Sequence, residues 1–219
     1  APRFDALARG LQCAERKRCH DAHMGIVRPH ATARAVYQAA ESVALFTTDH
    51  TPMEKIRASI PTEPDLQTAQ SWLNGKGIES KTIHVLTYSN NARRHCDGCV
   101  CHRTRYTFDS ESYLELEAGI YIVDIKLCAL QAANDLSLRE LVEYYFEICG
   151  SYALDASDET GYRERPALTN TEALRNFFSQ ASGYRGSNNA IKALGYVRDG
   201  CRSPLETAFV MMLTMPKSL

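Results

Sequence analysis

Gly119-Ile120-Tyr121-Ile122-Val123-Asp124 is the stretch that decides the fold class. Its apolar run is β-branched and aromatic, with no polar face to offer solvent, so Gly119 to Val123 is predicted as a buried strand. Asp124 closes the run, and its short carboxylate can accept from the free N–H groups of a helix's first turn. Leu127, Leu130 and Ala133 then recur at helical spacing. Ser137-Leu138-Arg139-Glu140 forms a capping box for a further helix, which turns Leu141, Tyr145 and Cys149 inward. A strand feeding helices in this order predicts a mixed α+β unit.

Upstream, Thr82 to Tyr88 alternates apolar and polar residues and Val100 to Tyr106 does so more weakly, which adds two strands and makes a small sheet. Leu66 to Leu73 predicts a helix closed by Gly75 and Gly77. Thr51-Pro52-Met53-Glu54 starts another that ends before Pro61, because it combines a capping hydroxyl, a proline at the first helical position and a glutamate at the third. Val43 to Thr47 reads as a buried strand. Ala31 to Ala40 and the Phe4, Leu7, Leu11 series read as helices flanking a basic loop.

Downstream, the apolar period is lost between Gly150 and Leu168 while charges, Gly161 and Pro166 accumulate, so residues 156–168 are expected to be a linker. Thr169-Asn170-Thr171-Glu172, Gly186 and Ser203-Pro204-Leu205-Glu206 then start three helices. The expected organisation is an α+β domain over 1–155 with a basic N-terminal segment, the linker, and a helical module over 169–219. An apolar helix immediately before Leu219 would need later elements to cover its face, so the helical module is expected to be truncated at its C-terminus and to lead into a missing C-terminal domain.

The chain has 219 residues, 44% hydrophobic and 23% charged, which is an ordinary globular composition and argues against extensive disorder. The longest apolar runs fall far below the roughly 20 residues of a membrane helix, and the opening residues lack the apolar core of a secretory signal. No membrane partner and a cytoplasmic location are therefore expected. The net charge of -1 advertises no nucleic-acid partner globally, but the charges come in blocks. Residues 1 to 34 hold seven Arg or Lys against three acids. Arg93, Arg94, Arg103 and Arg105 face only Asp97 between residues 92 and 105, and 109 to 117 answer with four acids. Arg185, Lys192, Arg198 and Arg202 form a third basic stretch, where Asn188, Asn189 and a helix start also favour phosphate. Arg16, Lys17, Arg18, Arg93, Arg94, Arg185 and Lys192 are the nucleic-acid candidates, weighed against ordinary solvated faces.

Of the eight cysteines, Cys96, Cys99 and Cys101 crowd together beside His95 and His102. Thiolates on a turn can converge on zinc, with Cys96, Cys99, Cys101 and His102 as the ligand set and Cys13, Cys19 or His20 as possible completions. Alternate side chains of an extended segment point to opposite faces, however, so reduced thiols and no structural metal are expected. Adjacency does not make a catalytic Cys-His pair, and nucleophile-elbow, phosphate-loop and dinucleotide fingerprints are all missing from the sequence. The chain is expected to carry no catalytic centre of its own.

Ile83-His84-Val85-Leu86, then Val100-Cys101-His102, then Ile120 to Asp124 with the leucine-rich helices, together resemble the middle region of bacterial abortive-infection antitoxin-type proteins. Arg202-Ser203-Pro204-Leu205-Glu206-Thr207 is similar to the Ser-Pro-x-Glu-Thr stretch that leads into a very-short-patch-repair-like endonuclease of the PD-(D/E)XK type. The resemblance covers residues 80 to 219 or so, and residues 1 to 80 depart from the winged-helix start of the antitoxin pattern. It implies a non-catalytic front portion of a phage-defence or DNA-repair type endonuclease that uses a divalent metal, magnesium, on residues beyond Leu219. Glu206 is the position that matches a helix-borne catalytic glutamate of that class, although it is also the third-position partner of Ser203 in a capping box. Two alternatives remain: a DNA-binding regulator of antitoxin type, paired with a cognate toxin, and a module that binds protein partners.

Overall fold

The computed structural model describes residues 26–28, 30–39, 62–78, 82–88, 99–117 and 120–216. Its elements run β1 (Ile26–Arg28), α1 (His30–Ala39), α2 (Glu63–Gly75), β2 (Ile83–Thr87), β3 (Cys99–Arg103), β4 (Tyr113–Glu117), β5 (Ile120–Val123), α3 (Ile125–Ala132), α4 (Leu138–Cys149), β6 (Tyr152–Leu154), β7 (Tyr162–Glu164), α5 (Thr171–Gln180), α6 (Ser187–Leu194) and α7 (Pro204–Thr214). The expected α+β class is what the chain adopts. The helices expected over 4–11 and 51–60 and the strand over 43–47 lie outside the described residues.

Five strands form one mixed sheet in the order β3-β2-β1-β5-β4. β2 and β3 are parallel, as are β1 and β5, while β1–β2 and β4–β5 are antiparallel. β5, the strand on which the reading of the sequence turned, has all four residues buried. Among the described residues β4 forms one edge of the sheet, and its Glu115 shares a hydrogen bond with the Tyr121 side chain of β5. Neither β1 nor β4 was expected: β1 has only three residues, too few to show a period, and β4 sits inside what reads as an acidic block.

Asp124 caps α3 by accepting from Leu127 N at 2.8 Å, and Ser137 and Glu140 form the reciprocal capping box of α4. Along β2 the side chains alternate. Ile83 and Val85 pack with Leu66 and Ala69 of α2 and with Cys99, whereas Leu86 joins the main core under α1 and α3.

The main core crosses the boundary drawn from the sequence. Leu174, Phe178, Ala190, Leu194, Val197 and Met211 belong to the same buried cluster as Tyr37, Ile122, Leu127 and Tyr145. Residues 156–168 are likewise not a free linker: β7 lies within them and pairs with β6, and Arg165 and Leu168 are buried. The 169–216 helices complete the core begun by 26–149. The apolar period vanished in this stretch because a short hairpin buries few residues and Arg165 is anchored by hydrogen bonds instead. Its guanidinium donates to the carbonyls of Tyr152, Glu147 and Tyr37 at 3.1, 3.3 and 3.5 Å. Among the described residues no helix is long and apolar enough to cross a membrane.

Candidate functional site

Parallel strands end side by side, and the space beyond their carboxyl ends is open to a ligand unless another element fills it. Here β2 and β3 end at Thr87 and Arg103, and a cleft of about 480 Å³ lies beyond them. One wall is the end of β3 and its extension, from His102 through Tyr106. The floor is the C-terminal end of α3 and the turn after it, with Gln131, Asn134 and Asp135. The other wall is Gly183, Tyr184 and Arg185 from the α5–α6 turn. With Leu86 of β2, four separate stretches of sequence therefore meet in one concavity of a size typical of small-ligand sites.

Its charge is uneven. Arg103, Arg105 and Arg185 line the cleft and are exposed, with Asp135 the one acid among the described lining residues. The lining also includes two aromatic side chains. Tyr106 and Tyr184 meet edge to face at 5.7 Å between centroids, and Phe108 supports both from beneath at 4.9 and 5.4 Å. Tyr106 donates its hydroxyl to Gln180 O at 3.2 Å, tying the β3 extension to the end of α5. Asn134 uses its amide N–H to reach Gln131 O at 3.2 Å, but its Oδ1 is buried with no hydrogen-bond partner among the described residues.

His102 reaches the cleft from the even face of β3 and pairs with His84 of β2, Nδ1 of His84 lying 2.8 Å from Nε2 of His102. The rings stack at 5.0 Å. Burial holds both imidazoles below their ordinary value of 6.5, His84 opposes the charge on His102 further, and Asp135 pulls both partly back. Both protons cannot sit on facing nitrogens, so near neutral pH the pair is uncharged and one ring donates to the other.

Arg185 is the nucleic-acid candidate that the fold brings into the cleft. Lys192 is exposed on α6 and is not among the lining residues. Arg16, Lys17, Arg18, Arg93 and Arg94 lie outside the described residues, as does Cys96. Of the alternative zinc set, Cys99 and Cys101 point to one side of β3 with their Sγ atoms 3.9 Å apart, and Cys99 packs against Ile83, Val85, Leu66 and Ala69. His102 points to the other side. Among the described residues no group of three His, Cys, Asp or Glu side chains gathers as a metal set. Burial also pushes the Cys128 thiol up to about 12 and the Cys149 thiol higher still, which makes them poor ligands and nucleophiles.

Glu206 does what its capping position predicts. Its backbone N–H donates to Ser203 Oγ at 3.2 Å, and its Oε2 accepts from Arg202 N at 2.7 Å, one residue before the usual partner. Magnesium needs several oxygen ligands at one point, and among the described residues no group of three His, Cys, Asp or Glu side chains gathers around Glu206.

The sequence showed Arg103 and Arg105 as part of a charge block, but Tyr106, Tyr184, Gln131 and Asn134 carried no signal. Nothing in the sequence links His84 to His102, 18 residues away, and only the parallel register brings them together. Fold and site together define a mixed α+β protein with an arginine-lined cleft at the carboxyl ends of a parallel strand pair. No family model, no curated protein and no solved structure matches the chain.

Proposed function

We propose that this chain is a non-catalytic, DNA-contacting portion of a metal-dependent DNA endonuclease of phage-defence or DNA-repair type. The observation that carries the reading is the gathering of Arg103, Arg105 and Arg185 around one cleft with Asp135 as the only acid among the described residues of its lining. Clustered guanidinium groups are the electrostatic footprint of phosphate binding, and they fix a nucleic acid's position without requiring chemistry. The resemblance of Arg202 to Thr207 to the approach of a nuclease core supports the endonuclease side of the reading. Any catalytic glutamate role for Glu206 would depend on strands that carry the remaining metal ligands.

Binding to DNA should weaken linearly on a log–log plot as salt rises, with a slope near 0.7 to 0.9 per phosphate contact. Arg103→Ala, Arg105→Ala and Arg185→Ala should each weaken binding and flatten that slope by about one contact. The chain alone, given magnesium, should leave DNA intact. Absence of binding at low salt, or binding that ignores salt, would remove the proposal.

A protein-partner reading is favoured by a different observation. Leu205, Phe209, Met212 and Leu213 of α7 are exposed at 80%, 58%, 74% and 70%, a larger apolar strip than a solvated helix normally shows. It would give a defined complex with protein and none with DNA.

A further inference from the structure

The cleft's chemistry is divided in a way that duplex backbone binding does not need. Its rim carries Arg103, Arg105 and Arg185, its walls carry the rings of Tyr106 and Tyr184, and its floor carries the amides of Gln131 and Asn134. We propose that the cleft takes one unpaired nucleotide of a DNA strand, with its phosphates on the arginine rim and its base against Tyr106 and Tyr184. The proposal rests on the DNA-contacting reading above and names the form of DNA that reading left open.

Each part follows from what the site offers. A phosphate-only surface is flat and basic, whereas this one is concave, with about 480 Å³ of space behind the arginines. Aromatic side chains beside a basic rim are the means by which single strands are held, because every base has a face to stack and a duplex hides it. The tyrosines are held in place for this. Phe108 backs both rings, Tyr106 is anchored on Gln180 O, and Tyr184 shares a hydrogen bond with the Gln131 side chain.

The test uses the full chain and fluorescently labelled DNA of equal length in three forms: a single strand, a blunt duplex, and a duplex with one unpaired adenine or thymine. A fourth arm uses free AMP. The single strand and the unpaired-adenine duplex should bind about ten-fold more tightly than the blunt duplex, and unpaired adenine more tightly than unpaired thymine. A 2-aminopurine placed at the unpaired position should lose fluorescence on binding through stacking. Tyr184→Leu should abolish both the quench and the preference for an unpaired base. Should that variant fail to fold, Tyr106→Leu should abolish the quench and the preference in its place. Equal affinity for all three DNA forms would overturn the nucleotide cleft and leave the DNA-contacting reading standing. Binding of free AMP as tight as that of the single strand would overturn it in favour of a mononucleotide site, and no binding of any DNA would sink both proposals.

Discussion

Arg165 sits 5% exposed in the middle of a region that reads as polar, and its guanidinium holds three backbone carbonyls from three parts of the chain. Burial lowers its pKa, and Glu147, itself 3% exposed, opposes that shift. Removing one member of such a network strands the others without partners. Arg165→Met should therefore destabilise the protein by about 3–5 kcal/mol, read from urea unfolding; a loss below about 1 kcal/mol would mean that water replaces the guanidinium readily. The histidine pair gives a second residue-scale prediction. Burial lowers both imidazole pKa values, so the unfolded chain binds protons that the folded one refuses. The stability this contributes is complete above the ordinary value of 6.5 and is lost as pH falls from there through the lowered values. Unfolding free energy should thus decline on acidification from pH 6.5, and the His84→Gln, His102→Gln double variant should show a shallower decline. An identical pH slope in the two proteins would refute the assignment.

Helix starts were the elements most legible in the sequence. Asp124, Ser137, Asn170 and Ser203 all cap the helices expected of them, because a capping side chain bonds within three residues and needs nothing from the rest of the fold. Asp124→Ala should cost about 1–2 kcal/mol through its lost bond to Leu127 N, and Asp124→Asn much less. Where α4 ends, Gly150 meets close packing instead: a Cβ would lie 2.7 Å from the carbonyl oxygens of both Cys201 and Phe146. Gly150→Ala should destabilise by about 1–3 kcal/mol, because neither backbone oxygen is the end of a flexible side chain. On α7, by contrast, Phe209→Ser and Met212→Lys should change stability by no more than about 0.5 kcal/mol, since both residues face solvent. A larger loss in thermal unfolding would show that the strip is covered in solution.

Across the whole molecule, the 169–216 helices and the sheet share one core, and Phe178, fully buried, touches the Tyr145 ring at 5.7 Å. Phe178→Ala should cost about 3–5 kcal/mol. If the core is single, that variant shifts the unfolding midpoint seen by Trp72 on α2, the chain's one tryptophan, as far as the midpoint seen by circular dichroism. Two units would leave the Trp72 transition where it was. The shared core also explains why the cleft exists, since its walls come from the sheet and from the α5–α6 turn, and separate domains would not hold them in register.

What the sequence by itself determined was local: the buried strand at Ile120 to Val123, the capped helices after it, the helix at Glu63–Gly75, and hence the α+β class. Those features arise from side-chain period and from bonds spanning three or four residues. Only the tertiary structure decided that Ile26–Arg28 is an interior strand, that Tyr162–Glu164 pairs rather than links, and that Leu174 and Phe178 share a core with Leu127. It alone placed His84 against His102 and set Arg185 opposite Arg103 and Arg105. Strand register and helix docking depend on which apolar faces meet across dozens of residues, and that choice belongs to the packed chain as a whole.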